Sequence, residues 1–164
     1  MSGDQPTLPE RAAQALAAWR AAQETVVFTN GVFDLLHRGH LEYLEEAAEL
    51  GDRLEVGVNS DASVRRLKGP LRPLVPDAER AELLEALACV DLAIVFGEDT
   101  PERLIHDVRP DVLVKGGDWP LDTIVGREFV ERQGGRVATI RLREGLGTTR
   151  LVERIAAGKS ALDP

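Results

Sequence analysis

The chain has 164 residues, of which 43% are apolar and 29% are charged, a composition typical of one soluble globular domain and not of a disordered chain. No apolar run approaches the roughly 20 residues that cross a bilayer, so we expect no membrane association. The 20 Lys and Arg residues against 28 Asp and Glu residues give a net charge of −8, which excludes nucleic-acid binding through a broad basic surface but leaves room for a local anion site.

The N-terminus and the cysteine count favour the cytoplasm. Residues 1–10 have neither a basic start nor an apolar core, so they do not resemble a secretory signal. The single cysteine, Cys89, cannot form an internal disulfide, which is typical of a reducing compartment. We expect one cytoplasmic domain over 1–164, with a loose N-terminal segment at 1–10 and a loose tail at 159–164.

Apolar strand-like runs alternate with amphipathic helical stretches along the chain. Helical spacing of apolar residues predicts a first helix after residue 8, and the helix predicted from residue 38 to 50 has Leu41, Leu44 and Ala48 on its inner face. This alternation predicts an α/β fold with a Rossmann-like, doubly wound parallel sheet, five or six helices on its two faces, and ligands beyond the carboxyl ends of the strands. The predicted strands are 26–29, 54–58, 92–96, 112–114 and 137–140.

A loop is predicted between the second and third strands. Ser60 or Asp61 caps a short helix, residues 67–76 with their three prolines form the loop, and Asp77 opens the next helix. Because this loop follows the second strand, we expect Lys68 and Arg72 near the ligand-binding edge of the sheet.

Two of the three histidines, His37 and His40, lie three positions apart just after the first strand. This spacing puts both imidazoles on one side of a helix start, where unpaired backbone N–H groups and the helix dipole favour an anion. The imidazoles add donors and can take up a proton as charge grows on a phosphate, and Gly31 and Gly39 allow close approach of the backbone. The pattern predicts phosphate binding; a simple helix cap is the alternative, while one cysteine and no third nearby histidine leave too few ligands for zinc.

Residues 29–40, Thr-Asn-Gly-Val-Phe-Asp-Leu-Leu-His-Arg-Gly-His, resemble the His-x-Gly-His signature of the nucleotidyltransferase superfamily. Further strings are similar to bacterial D-glycero-D-manno-heptose 1-phosphate adenylyltransferases, and the resemblance covers residues 26–155. In some bacteria these enzymes are fused behind a sugar-kinase domain, which this chain lacks, so it resembles the stand-alone form. The strings are Gly-Val-Asn-Ser-Asp-Ala-Ser at 57–63, Leu-Lys-Gly at 67–69, Arg-Pro at 72–73, Glu-Asp-Thr-Pro at 98–101 and Val-Lys-Gly-Gly-Asp at 114–118.

The resemblance implies that a sugar 1-phosphate attacks the α-phosphorus of ATP, giving an ADP-sugar and pyrophosphate. The sugar it implies is the heptose, and the cofactor is Mg²⁺ carried by the ATP phosphates, with no metal site on the protein. The implied partners are ATP and the sugar 1-phosphate, and a homodimer is expected by analogy with the family.

The resemblance also implies a set of site residues. The catalytic residues are His37 and His40, which contact the α-phosphate and the departing pyrophosphate, and Lys68, which holds the sugar phosphate. Asp34 and Arg72 join Lys68 in substrate binding. Asp34 is equally suited to fixing the turn through backbone N–H groups. For Lys68 and Arg72, the alternative is that they are solvated loop residues. The nucleotide-binding residues are Thr29, Asn30, Gly31, Phe33, His37, Gly39, His40, Lys115, Gly116, Gly117, Thr148 and Thr149.

The chain departs from the related enzymes at two places. Gly147 stands where they usually have Ser before two threonines, and Arg141 and Arg143 flank the place where cytidylyltransferases carry an arginine. The second departure disfavours the main alternative, a cytidylyltransferase acting on glycerol 3-phosphate or a similar alcohol phosphate. A non-catalytic ATP-binding sensor is the other alternative, and the intact histidines and Lys68 speak against it.

Overall fold

The computed structural model describes residues 8–142 and 147–159. Its strands are β1 (Val26–Gly31), β2 (Arg53–Asn59), β3 (Leu92–Phe96), β4 (Val112–Gly116) and β5 (Arg136–Ile140). They form one parallel sheet in the order β3-β2-β1-β4-β5. The chain therefore starts in the middle of the sheet, builds to one edge, and returns to the other side of β1. The predicted doubly wound α/β fold is confirmed, and its switch point, where such folds bind ligands, lies between β1 and β4.

Helices cover both faces of this sheet. Within the described ranges there are seven α-helices, more than the five or six predicted, and the two helices predicted between β2 and β3 are both present. They are α1 (Glu10–Ala21), α2 (Arg38–Ala48), α3 (Asp61–Lys68), α4 (Asp77–Glu85), α5 (Glu102–Val108), α6 (Arg127–Arg132) and α7 (Thr148–Ala156), with a 3₁₀ turn at Leu121–Thr123.

Alternating side chains of the central strands build two apolar layers. On one face, Val27 packs with Leu44 of α2 and Leu84 of α4. On the other face, the next residue, Phe28, packs with Leu16 of α1 and with residues of α5 and α6. Because neighbouring strand residues point to opposite faces, the apolar β1 run serves both layers.

The inner face of α2 is rotated from the predicted one. Tyr43, Leu44 and Ala47 are its buried residues, whereas Leu41 is 37% exposed, so the prediction for Leu41 was wrong. The reason is the space above Gly116, where a Cβ would lie only 3.0 Å from the Tyr43 ring. The missing side chain makes room for the aromatic ring, which turns that side of α2 toward the sheet.

Three short stretches lie outside the described residues. They contain most of the predicted loose ends at 1–10 and 159–164, and also Arg143. Among the helices of the described part, none combines the length and the apolar character needed to cross a membrane.

A carboxyl group is buried in the middle of the sheet. Glu55 of β2 is 0% exposed, and neither of its oxygens has a hydrogen-bond partner among the described residues. Burial raises the pKa of Glu55 to about 8, against the opposing effect of the positive charge of Arg20. The side chain therefore carries a proton at neutral pH, because an ionised carboxylate is too costly in these surroundings.

We predict that Glu55→Gln makes the protein more stable than wild type by a margin that grows from about pH 5 to pH 8. The folded state keeps the Glu55 proton up to a pKa of about 8, whereas the unfolded chain loses it near 4.5. The free energy of unfolding therefore falls with rising pH in this window, by ~1.4 kcal/mol per pH unit for one proton. Urea unfolding at several pH values measures the margin.

The matched control is Glu46→Gln, since Glu46 is exposed on α2. The difference in free energy of unfolding between Glu46→Gln and wild type should stay constant across the same pH range. Parallel stability curves for wild type and Glu55→Gln would show that Glu55 is already ionised in the folded protein.

Candidate functional site

The candidate site lies where β1 and β4 end. These two strands pair in parallel, so the loop after β1 and the loop after β4 emerge at the same edge of the sheet. The first loop runs directly into α2, whose N-terminus carries the histidine pair. The structure thus brings the predicted residues 29–40 and 115–117 to one edge.

His37 and His40 form a reciprocal cap at the start of α2. The Nδ1 atom of His37 accepts the backbone N–H of Gly39 at 3.1 Å, and the backbone N–H of His37 donates to Nδ1 of His40 over a longer 3.4 Å. The two rings stack with their centroids 3.9 Å apart. Helix capping was the alternative to phosphate binding for these two histidines. The two roles are compatible, because each ring uses Nδ1 for the cap and has a second nitrogen, Nε2, for a ligand.

The second nitrogens are hydrogen-bond donors at neutral pH. Since Nδ1 of each ring accepts an N–H, the proton of the neutral imidazole is assigned to Nε2. Burial lowers the pKa of His37. Burial also lowers the pKa of His40 to about 4, helped by the positive charges of His37 and Lys68 and opposed by Asp34. Two neutral Nε2–H groups beside a helix N-terminus are suited to hold an anion.

Phe33 packs against the His40 ring. Its side chain is buried and lies 5.5 Å from His40, centroid to centroid. Phe33 and Leu35 both have φ of 51°, in the left-handed region that side chains rarely adopt. Gly31 leaves the room for this turn, because a Cβ there would come within 3.1 Å of the Phe33 ring. Packing thus holds a strained loop in place next to the histidines.

Asp34 joins three segments around the histidine loop. Its carboxylate accepts the backbone N–H groups of Leu74 and Val75 and the Nε–H of Arg72, at 2.8–3.0 Å. Its backbone carbonyl accepts the hydroxyl of Thr148 at 2.7 Å. The side chain is 1% exposed; burial opposes its ionisation, but the two N–H groups and Arg72 outweigh burial and lower the pKa of Asp34. The Asp34 carboxylate thus fixes a turn through backbone N–H groups, but this turn lies at residues 72–75 and not in its own loop.

Lys68 is the last residue of α3, so the predicted loop 67–76 begins only at Gly69, and its predicted start was wrong. Gly69 ends the helix with φ of 96°, a conformation that glycine adopts without strain. Lys68 is exposed, and its positive charge contributes to the lowered pKa of His40. The structure therefore places this cation within electrostatic reach of the histidine pair.

Thr29 and Tyr43 tie α2 to the sheet beneath the site. The Thr29 hydroxyl donates to the carbonyl of Val114 at 3.0 Å and pairs with the Tyr43 hydroxyl at 2.5 Å. Burial raises the pKa of Tyr43 to about 12, with the Thr29 bond acting in the other direction. Sequence analysis missed Tyr43, although it is the single tyrosine and lies one helical turn after His40. The phosphate contact predicted for Thr29 stays a prediction, since both hydroxyl bonds lie within the fold.

The end of β4 combines a cation, two glycines and an exposed ring. The Lys115 ammonium lies 5.8 Å from the centre of the Trp119 ring, and burial lowers the pKa of Lys115. Trp119 is 53% exposed and donates its Nε1–H to the carbonyl of Gly116. Gly117 has φ of 106°, and its N–H donates to the carbonyl of Ile140 at 2.8 Å. The exposed Trp119 ring offers an aromatic face to a flat ligand at this edge.

The start of α7 reaches the site through Thr148. Its bond to the Asp34 carbonyl anchors the helix, while Thr149 is exposed. Gly147, the residue before the helix, provides no side-chain cap. The N-cap residue therefore offers no side-chain acceptor to the first N–H groups of α7. An anion-binding helix start requires such N–H groups.

The side chains of the site do not fit a protein-bound metal. The described residues include no cluster of three or more His, Cys, Asp or Glu side chains able to hold an ion. The Asp34 carboxylate is occupied by its three donors, and the free imidazole nitrogens are donors.

The parallel sheet, with the start of α2 at its switch point, defines an α/β domain of the Rossmann-like class. The family model described as cytidylyltransferase-like matches residues 28–156. The chain belongs to this family, and the predicted class of enzyme, a nucleotidyltransferase, is confirmed.

Similar proteins include two bacterial relatives described as the bifunctional protein HldE. Those of Syntrophotalea carbinolica and Magnetococcus marinus are each 55% identical over 148 residues, covering 90% of this chain and 30% of the relative. The chain thus spans about three tenths of the length of these curated relatives. A solved lipopolysaccharide core biosynthesis protein from Thermoplasma volcanium aligns with a TM-score of 0.60 at 33% identity, covering 73% of this chain and 97% of that one.

We predict that both histidine rings of the free protein are neutral Nε2–H tautomers at pH 7. The imidazole of His40 should titrate near pH 4 and that of His37 below its ordinary 6.5, because burial disfavours their charged forms. Adding ATP should raise both values, since phosphate charge favours the imidazolium. Nitrogen-15 NMR of the imidazoles reports tautomer and titration together.

His106 is the internal control for ATP binding. It is exposed and stacks on Phe129, away from the histidine pair, so ATP should leave its imidazole nitrogen chemical shifts at pH 7 unchanged. A proton on Nδ1 of His37 or His40, or a midpoint above 6.5 without ligand, would contradict the assignment.

Proposed function

We propose that this chain transfers AMP from ATP to a sugar 1-phosphate, D-glycero-D-manno-heptose 1-phosphate, forming ADP-heptose and pyrophosphate. The observation that carries the proposal is the stacked histidine pair, which presents two Nε2–H donors at the start of α2 near the charge of Lys68. The motifs at 57–63, 67–69 and 114–118 support the heptose substrate. The relatives described as HldE and the lipopolysaccharide core biosynthesis protein support the same choice.

The proposed reaction needs positioning and charge neutralisation, and no protein nucleophile. An oxygen of the sugar phosphate forms a bond to the α-phosphorus of ATP. The bond from that phosphorus to the bridging oxygen breaks, and its electron pair leaves with pyrophosphate. His37 and His40 donate to the α-phosphate and the leaving group, where negative charge grows, and Lys68 holds the incoming phosphate.

The rest of the nucleotide is assigned to the edge between β4 and α7. Backbone groups of Gly116 and Gly117 read the adenine edge, with Lys115 beside them. Thr148, Thr149 and the first N–H groups of α7 face the β- and γ-phosphates. Asn30, Gly31 and Gly39 line the phosphate path as backbone. Mg²⁺ belongs to the substrate, as MgATP.

Asp34 and Arg72 are proposed for the sugar-phosphate side of the site. The Nε–H of Arg72 is held by Asp34, which aims the guanidinium without using its terminal nitrogens. Cytoplasmic location and a homodimer complete the proposal. The cysteine usage supports the first, and analogy with the family supports the second.

The direct test measures pyrophosphate release with ATP and with CTP, each against a panel of sugar 1-phosphates and glycerol 3-phosphate. The proposal expects turnover with ATP and heptose 1-phosphate. Turnover with CTP alone would favour a cytidylyltransferase, and ATP binding without product from any acceptor would favour a sensor.

We predict that His40→Ala lowers kcat by about 100-fold in a folded protein. The variant loses a donor aimed at charge that develops in the transition state, and one such donor is commonly worth about 10²–10³ in rate. Steady-state kinetics and circular dichroism measure rate and fold. His106→Ala, outside the site, should keep the wild-type rate. An unchanged kcat in folded His40→Ala would remove the histidine from the proposed mechanism.

Lys68→Ala should act on the other substrate. We expect KM for the sugar phosphate to rise about 10-fold or more, the size of a lost charge-assisted contact, while the Kd for ATP stays close to wild type. Arg65→Ala, an exposed change on the same helix, is the control. If Lys68→Ala weakened only ATP binding, Lys68 would belong to the nucleotide side of the site.

A further inference from the structure

Arg80 of α4 is a buried guanidinium that connects the two halves of the site. It is 1% exposed and is the largest fully buried side chain among the described residues. Its Nε–H donates to the carbonyl of Val75 at 2.8 Å, one terminal nitrogen donates to the carbonyl of Val32 at 2.6 Å, and the other donates to the carboxylate of Asp61 at 2.8 Å. One planar group thus contacts three separate segments.

Each partner belongs to a segment that carries a predicted site residue. Val32 lies in the loop that leads from β1 to His37. Asp61 is the first residue of α3, and Lys68 is the last. Val75 lies near the end of the loop that follows Lys68, and its N–H is one of the two that donate to the Asp34 carboxylate. Arg80 therefore contacts the loop between β1 and His37 on one side. On the other side it contacts both ends of segment 61–75, which contains Lys68.

The N-terminal ends of α3 and α4 reinforce this connection. The Asp77 N–H donates to the Asp61 carboxylate, and the Asp61 N–H donates to the Asp77 carboxylate, both at 2.9 Å. Asp61 is therefore shared between Asp77 and Arg80. With these bonds, α3 cannot shift along α4 without breaking several charge-assisted contacts at once.

The chemistry of the guanidinium explains why an arginine is needed here. Its planar fork directs donors to three acceptors in fixed directions, whereas a lysine ammonium has a single nitrogen to share. Two of the acceptors are backbone carbonyls, which would lose their Arg80 partner if the fork were removed. Loss of the fork therefore weakens the connection between the segments, which Asp34 still joins.

We propose that Arg80 is a positioning residue that sets the distance between the histidine pair and the acceptor-binding segment 61–75. It contacts neither substrate; it holds Lys68 and Arg72 where an acceptor phosphate meets the α-phosphorus. The inference rests on the proposed function, because it assigns the two segments to the two substrates. Displacement of a reacting group by about 1 Å is enough to cost about 100-fold in rate.

This role differs from plain structural support in what a substitution changes. A residue that only stabilises the fold lowers the fraction of active protein, and leaves the KM values and the turnover of the folded fraction intact. A residue that spaces the two substrates lowers kcat for the folded protein. The Kd for ATP should change little, since the hydrogen bonds of the histidine cap and of Thr148 are made without Arg80.

The test compares Arg80→Lys with wild type and with Arg66→Lys. Arg66 is a matched control on α3: its guanidinium also binds a carboxylate and a carbonyl, those of Asp99 and Gly97, but on the exposed side. We expect Arg80→Lys to lower kcat about 10-fold or more, with the Kd for ATP, measured by calorimetry, within about 3-fold of wild type. Arg66→Lys should match wild type in both. Asp61→Asn, which keeps an oxygen acceptor but loses the charge, should give an intermediate kcat.

Amide hydrogen exchange provides a readout that does not depend on turnover. In Arg80→Lys, exchange should become faster in residues 31–37 and 69–76 and stay unchanged in the strands. Equal kcat and equal exchange in wild type and Arg80→Lys would overturn the inference and leave the proposed function standing. If Arg80→Lys does not fold, Asp61→Asn decides by the same two measurements.

Failure of the proposed function gives a different pattern. Wild type would then make no nucleotide-sugar from any acceptor. The exchange comparison would still support or overturn the coupling of the two loops through Arg80.

Discussion

The site depends on how two imidazole rings are held at the first turn of α2. Each ring uses Nδ1 to accept a backbone N–H, and this fixes both the orientation of the ring and the position of its proton. The opposite nitrogen of each ring is then a donor at the helix N-terminus, where the dipole already favours negative charge. The same two side chains thus cap the helix and provide its proposed phosphate contacts.

Several buried contacts keep these rings in place. Phe33 packs under His40, and the Thr29–Tyr43 hydroxyl pair fastens α2 to the sheet. Asp34 and Arg80 connect the histidine loop to the segment that carries Lys68. A chain with a net charge of −8 thus brings neutral donors, a lysine and helix N-termini together around the proposed anion site. Local arrangement outweighs overall charge at contact distance.

The sequence was informative where structure is local and periodic. Strand-like apolar runs and helix signals predicted the parallel sheet, and the His37–His40 spacing predicted that both rings share one helix start. The missed features depend on contacts between distant positions: Arg80 bonds to Val32 across 48 positions, and no repeat or cap pattern encodes such a contact. The inner face of α2 was misplaced for the same reason, because the space for Tyr43 is created by Gly116 on another strand.

The measurement that bears most directly on the role of the two rings is a crystal structure of the protein with a non-hydrolysable ATP analogue and Mg²⁺. We predict that Nε2 of His37 and of His40 lie within hydrogen-bond distance of phosphate oxygens, with the triphosphate crossing the start of α2. A triphosphate bound elsewhere, or rings turned so that Nδ1 faces the ligand, would contradict this description of the site.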